Sequence, residues 1–445
     1  MIQLLAASTA YQVASLAAMI DSGILPTPDG ERILVLADGS QLPELTMPII
    51  ESPGFDQLVT RFDRVVDLGS LIWPRRPHQF SPRAEELGMW ERLLRSHWML
   101  GDEPLHLIVE SIQVNPAIAL CRIFHDATLG IHSDGLMSYG PTRSRIDRII
   151  AQRLDSVAYP DLVPGLTPLL LAEAAPTLLP MDSRHLKDIF ESIAESVEDP
   201  ALEAFSGGAG RVALVLGQYL NSLGLLDEEG ELELHVQMLV AAKEHGADLV
   251  LFKPHPSASP TSAIRLGASA ERLGIRFEVY EGTQCAEVVA LKIKPIAVIS
   301  CFSTALVTCS RLFNIPAQAV GTASMLLELA PFENSNRIPL TLADALFAKP
   351  HRSNSDLQAL VDTVGYAMQP ELLPHLREVA ETYLLGHPAE RDRYFKQRRL
   401  NRLNLPNTLP SRSGPRILKD RVRRVARHGV QRPARFLRKQ LDRVL

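Results

Sequence analysis

Lys253-Pro254-His255-Pro256 directly follows the apolar run DLVLF at 248–252, so a lysine and a histidine stand at the end of a predicted strand. The two prolines fix φ at their own positions and bias Lys253 and His255 toward extended backbone, which holds the imidazole on a stiff turn. A histidine held that way can bond a phosphate oxygen or protonate a leaving group, and Lys253 can pair with a phosphate. The same turn can also simply cap the strand, with Lys253 a solvated charge. Ser300-Cys301-Phe302-Ser303-Thr304 lies between the apolar run IAVIS and the helical run ALVTCSRLF. Free N–H groups and the positive dipole end make such a position an anion site, to which Ser303 and Thr304 add hydroxyl donors. Serine and threonine are equally the preferred helix caps. In His132-Ser133-Asp134-Gly135, after the run ATLGIH, Asp134 can act as a general base toward a hydroxyl, although Asp-Gly is also a common turn pair. Glu287, after the run FEVY, can accept both ribose hydroxyls of a nucleotide or be an exposed helix acid.

Groups at strand ends need strands that all point the same way. Apolar runs at 2–6, 32–37, 64–68, 105–112 and 127–132 alternate with helical stretches, the pattern of a parallel sheet. Prolines after Pro160 break that rhythm, and SGGAG at 206–210 marks a fresh start. Runs at 211–217, 248–254, 277–280, 296–300 and 317–320 then build a second Rossmann-like unit. The expected division is a first domain at 1–175, a linker at 176–209, a second domain at 210–386 and a tail at 387–445. One of the helical stretches near 340–386 is expected to pack back across the domain junction. Ser8-Thr9, Gln12 and Gly217-Gln218 also fall at strand ends, but topology alone assigns them no catalytic role.

Sixteen Lys and Arg against Asp420 and Asp442 leave residues 396–445 at +14, and the whole-chain charge of −5 then leaves residues 1–395 at −19. Apolar residues at helical spacing among those arginines predict two short amphipathic helices that dock on an anionic membrane surface; a polyanionic product or a solvated tail fits the same charge. The acidic body and the lack of a nucleic-acid motif speak against nucleic acid as a partner. The apolar N-terminus lacks a basic flank and is interrupted by Ser8, Thr9, Tyr11 and Gln12, so it reads as a strand running into a helix. Four scattered cysteines predict neither a zinc site nor a disulfide framework and point to a reducing cytoplasm, with the tail at the inner membrane face.

Asp134-Gly135, KPHP, AEVV and SCFSTAL, in that order over about residues 1 to 330, resemble the bacterial sialyltransferases with a D/E-D/E-G motif, an HP motif and a serine motif. The likeness is greatest to the α-2,8-polysialyltransferase-like family. Ser133 stands where that family's first acidic position falls. The resemblance implies an α/β GT-B fold, two Rossmann-like domains facing a cleft. It also implies inverting transfer of sialic acid from CMP-sialic acid to a glycan acceptor. Asp134 would be the base and His255 would assist CMP departure. Lys253, Pro256, Ser300, Ser303 and Thr304 would line the phosphate site, Glu287 would hold the ribose, and no metal or other cofactor would be required. A polyol-phosphate or other sugar transferase on the same fold, or a non-catalytic glycan or membrane scaffold, also accommodates these residues.

Overall fold

A computed structural model of the chain describes residues 1–38, 47–206, 210–221, 223–255, 260–348 and 356–407. Two wholly parallel sheets organise it. The first contains β1 (Ile2–Ala7), β2 (Arg32–Leu36), β3 (Arg64–Asp67), β4 (Leu105–Val109), β5 (Thr128–His132), β6 (Leu154–Pro160) and β7 (Thr177–Met181), ordered β3-β2-β1-β4-β5-β6-β7. The second contains β8 (Val212–Leu216), β9 (Leu249–Lys253), β10 (Arg276–Val279), β11 (Ala297–Ser300) and β12 (Ala317–Ala319), ordered β10-β9-β8-β11-β12. β1, β2, β4, β8 and β11 are buried along their whole length, because helices cover both faces of a parallel sheet. Strand order reverses between β1 and β4 in one sheet and between β8 and β11 in the other, and ligands of open α/β folds bind at such switch points.

Ten of these strands lie where apolar runs predicted them; β6 and β7 do not. The segment expected to be a linker carries β7 and the helix Ser183–Ser196 instead. Pro180 disguises β7 in the sequence, yet β7 is the edge strand of its sheet, where a residue without an N–H is tolerated. Asp182 caps the following helix by accepting the Arg184 N–H at 2.9 Å. That helix spans the junction: it packs on helix Ala10–Asp21 of the first unit and on helix Ala286–Ile293 of the second. Tyr11 and Phe190 meet there with ring centroids 5.4 Å apart.

Helix Leu357–Met368 makes the predicted return across the junction. Gln358 Oε1 accepts the Thr167 N–H at 2.7 Å, and Gln369 Nε2 donates to Arg143 O at 2.7 Å. The expected tail begins too early at 387, because helices Pro388–Tyr394 and Gln397–Arg402 fold onto the body. Buried Asp344 receives Thr322 Oγ1 at 2.6 Å, Tyr394 Oη at 2.7 Å and Arg393 Nε at 2.6 Å. Burial alone would raise its pKa, but the Arg393, Thr322 and Tyr394 donors bring it below the ordinary carboxylate value. Arg399, nearly buried, donates to Ala367 O at 2.6 Å and pairs with Glu333 at 2.5 Å. The arginine-rich remainder of the expected tail, from 408, lies outside the described residues. Among the described residues no helix is long and apolar enough to cross a membrane.

Candidate active site

Two turns meet where the sheets face each other. The Asp134-Gly135 turn leaves β5 and carries its backbone onto Thr304, at the start of helix Ala305–Phe313 behind β11. A methyl group at Gly135 would come within 2.9 Å of Thr304 Oγ1, and the Leu136 N–H points at the same oxygen at 3.5 Å. Gly135 has φ −157°, an extended conformation open to any residue, so glycine is required here for space alone. The base candidate of one domain and the hydroxyl-bearing helix start of the other are thus adjacent.

On the first side, Ser8, Glu110 and Asp134 follow β1, β4 and β5, three neighbouring strands. Ser8 Oγ donates to Glu110 Oε1 at 3.1 Å, and the Ser8 N–H donates to Gln12 Oε1 at 2.7 Å. Burial pushes the Glu110 carboxyl up to about 7, with the charge of Asp134 adding to the rise and Ser8 opposing it. His132 Nε2 donates to Ala6 O at 2.7 Å, so Nδ1 carries no proton. Burial lowers the His132 pKa and keeps the ring neutral, which makes it a strut beneath Asp134 rather than an acid.

On the second side, His255 is exposed and its ring stacks on Tyr219, centroids 5.5 Å apart and 6° from parallel. Partial desolvation, then the charge of Lys253, lower the His255 pKa. Lys253 is more deeply set, its ammonium 5.5 Å from the Tyr280 ring centre, and burial lowers its own pKa against the opposing pull of Cys285 and Glu287. Ser303 and Thr304 are half-buried, and Ser303 Oγ accepts the Ala305 N–H at 3.3 Å. Pro256 lies outside the described residues.

Two predicted ligand groups are engaged inside the protein. Ser300 is fully buried, its Oγ 3.1 Å from both Leu216 O and Gln218 Oε1. Gln218 Oε1 also accepts the N–H groups of Cys301 at 3.0 Å and Phe302 at 2.8 Å, so it shapes the loop and leaves Ser303 and Thr304 as its available hydroxyls. Glu287 is buried and accepts Thr308 Oγ1 at 2.7 Å, rather than standing as an exposed helix acid. Burial raises its pKa, while Thr308 and, more weakly, Lys253 pull it back. The charges of Glu287 and Asp134, one from each domain, both act on the buried hydroxyl of half-buried Tyr11. Tyr219, Glu110 and Thr308 escape sequence reasoning. Glu110 alone leaves a trace there, as the one charge ending the run LHLIVE. Among the described residues no three His, Cys, Asp or Glu side chains group as metal ligands.

Two Rossmann-like domains whose strand ends share one cleft define the GT-B class of glycosyltransferase architecture. The family profile described as alpha-2,8-polysialyltransferase (POLYST) matches residues 3–322, and the chain belongs to that family of glycosyltransferases. No curated protein matches the chain. Among solved structures, a sialyltransferase GT-B domain from Photobacterium damselae is 12% identical, with TM-score 0.39, over 77% of this chain and 96% of that one. A glycosyltransferase from Rickettsia africae is 12% identical, with TM-score 0.42, over 91% and 96%. The UDP-GlcNAc 2-epimerase from Methanocaldococcus jannaschii is 10% identical, with TM-score 0.41, over 72% and 83%.

Gly135→Ala is expected to destabilise the chain by about 1–3 kcal/mol through overpacking, and Thr304→Ala in the same chain to restore about 1 kcal/mol or more. Denaturant unfolding of the two single variants and the double measures this coupling; strictly additive values would mean that the two residues do not touch in solution. Glu110 generates a pH dependence. Its folded pKa of about 7 exceeds the ordinary 4.5, so between those values the folded chain binds more protons than the unfolded one and loses stability as pH rises. Glu110→Gln should flatten that fall in a series of thermal melts; parallel curves for variant and wild type would contradict it.

Proposed function

We propose that this chain transfers sialic acid from CMP-sialic acid to a glycan acceptor with inversion at the anomeric carbon. The observation that carries this reading is the contact of the Asp134-Gly135 turn with Thr304 across the cleft. Asp134 takes the proton of the acceptor hydroxyl as its oxygen bonds to the anomeric carbon. The bond from that carbon to the phosphate oxygen breaks with its electron pair, and CMP departs.

The phosphate is met by Lys253, by the hydroxyls of Ser303 and Thr304, and by the N-terminus of helix Ala305–Phe313. His255, with its pKa lowered, acts near pH 7 through a single N–H, while Lys253 supplies the positive charge. One phosphate balanced in this way requires no divalent cation. Glu287, held by Thr308 and in reach of the Lys253 charge, serves the nucleotide half of the donor. The arginine-rich segment 408–445 docks the enzyme on an anionic membrane surface.

CMP and CDP are expected to raise the melting temperature and UDP and GDP to leave it unchanged, with the rise lost in His255→Ala. Asp134→Asn should lower sialyl transfer at least ~100-fold while retaining the CMP-induced rise, as removal of a general base predicts. Indifference to all four nucleotides, or a response confined to CDP-polyols, would sink the CMP-donor reading. Truncation after Asn407 should abolish sedimentation with phosphatidylserine vesicles, and undiminished sedimentation would remove the tail from membrane binding.

A further inference from the structure

The mechanism above leaves one ionisable group on the base side of the cleft without a task. Glu110 is the first residue after β4, and because Val109 pairs with Ile131 it stands level with His132, two residues before Asp134. Neighbouring strands run about 4.8 Å apart, so the two carboxyl-bearing turns emerge side by side. Among the described residues Ser8 is the one side chain that bonds the carboxyl. Ser8 Oγ donates to Oε1 at 3.1 Å, and Ser8 is itself fixed by Gln12. The other oxygen, Oε2, is out of contact with solvent and has no hydrogen-bond partner among the described residues.

A buried carboxyl oxygen without a partner is unfavourable, and a protein keeps one where something else supplies the missing bond. Among the described residues no cation acts on it; the groups that do are its own backbone, Ser8 and the like-charged Asp134. Nor is the residue a packing filler, since a leucine would complete the run LHLIV without leaving an unbonded oxygen. We propose that Glu110, braced by Ser8, is an acceptor-binding residue whose Oε2 hydrogen-bonds a second hydroxyl of the glycan unit that presents its nucleophile to Asp134.

This inference rests on the reading of Asp134 as the base. The residues assigned to the phosphate belong to the other domain, whereas Glu110 and Asp134 follow neighbouring strands of one sheet, so the partner Glu110 can reach is the acceptor rather than the nucleotide. Burial favours its protonated form near neutrality, and a neutral acid can stand beside Asp134 without like-charge repulsion and can donate as well as accept. Two contacts on one sugar, one at the nucleophilic hydroxyl and one beside it, would fix the orientation of the attack.

The test is steady-state transfer from CMP-sialic acid to a short α-2,8-linked oligosialic acid, with each substrate varied in turn at pH 7. Glu110→Ala is expected to raise the acceptor KM about tenfold or more while the donor KM stays at its wild-type value, the loss of one well-placed hydrogen bond. Glu110→Gln keeps a donor and an acceptor in the same place and should recover most of that loss. Ser8→Ala, which releases the carboxyl without removing it, should fall between the two and guards against a folding defect in Glu110→Ala. An unchanged acceptor KM in both Glu110→Ala and Ser8→Ala overturns the inference while leaving the donor assignment intact. A turnover number abolished by Glu110→Gln but retained by Asp134→Asn overturns it too, by making Glu110 the base. Wild-type protein inert toward CMP-sialic acid overturns the underlying reading and this inference with it.

Discussion

The close approach of Gly135 to Thr304 is the contact on which the site depends. Each domain has its own sheet and its own switch point, but Asp134 follows a strand of one and helix Ala305–Phe313 follows a strand of the other. A missing methyl group at Gly135 lets the turn after β5 lie against the helix start after β11, with Thr304 Oγ1 at the centre. Anything bulkier would hold the two strand-end clusters apart.

Around that contact the chain keeps a set of polar groups in a poorly solvated place. Glu110, Tyr11, Glu287 and Lys253 are each shifted toward the neutral form by burial, and they come from both domains. Low dielectric strengthens every remaining charge interaction. His132 and Gln218 play the supporting part, fixing the turn after β5 and the loop after β11 through backbone carbonyl and amide contacts.

The outer architecture holds this arrangement from three directions. Helix Ser183–Ser196 fills the junction from one side, the Gln358–Thr167 pair ties the second unit back to the first, and Asp344 gathers Thr322, Arg393 and Tyr394 so that the last described helices clasp the second domain. Asp344 is buried with every donor it needs, the condition under which an interior carboxylate is stable as an anion.

The fold class, ten of twelve strands and the positions of Asp134, His255, Lys253, Ser303 and Thr304 at strand or helix ends were legible in the sequence. Apolar runs, prolines and hydroxyl pairs act locally and report local backbone. β7 was hidden because Pro180 is disfavoured in a strand unless that strand is an edge, and edge position is a property of the whole sheet. Ser300 and Ser303 look alike along the chain, yet the first is turned into the interior against Leu216 and Gln218 and the second stands at the cleft. Glu110 shows in the sequence only as the charge that ends LHLIVE, and Tyr219 leaves no trace there; Ser8 is 102 residues from Glu110, and Tyr219 is brought to His255 by the pairing of β8 with β9. The sequence by itself determined which residues end up at strand termini, because hydrophobic runs and turn formers set that locally. Which of those termini face one another, and which polar atoms are left open to a ligand, only the tertiary structure decided, because contacts between distant segments exist only once both sheets have formed and closed on each other.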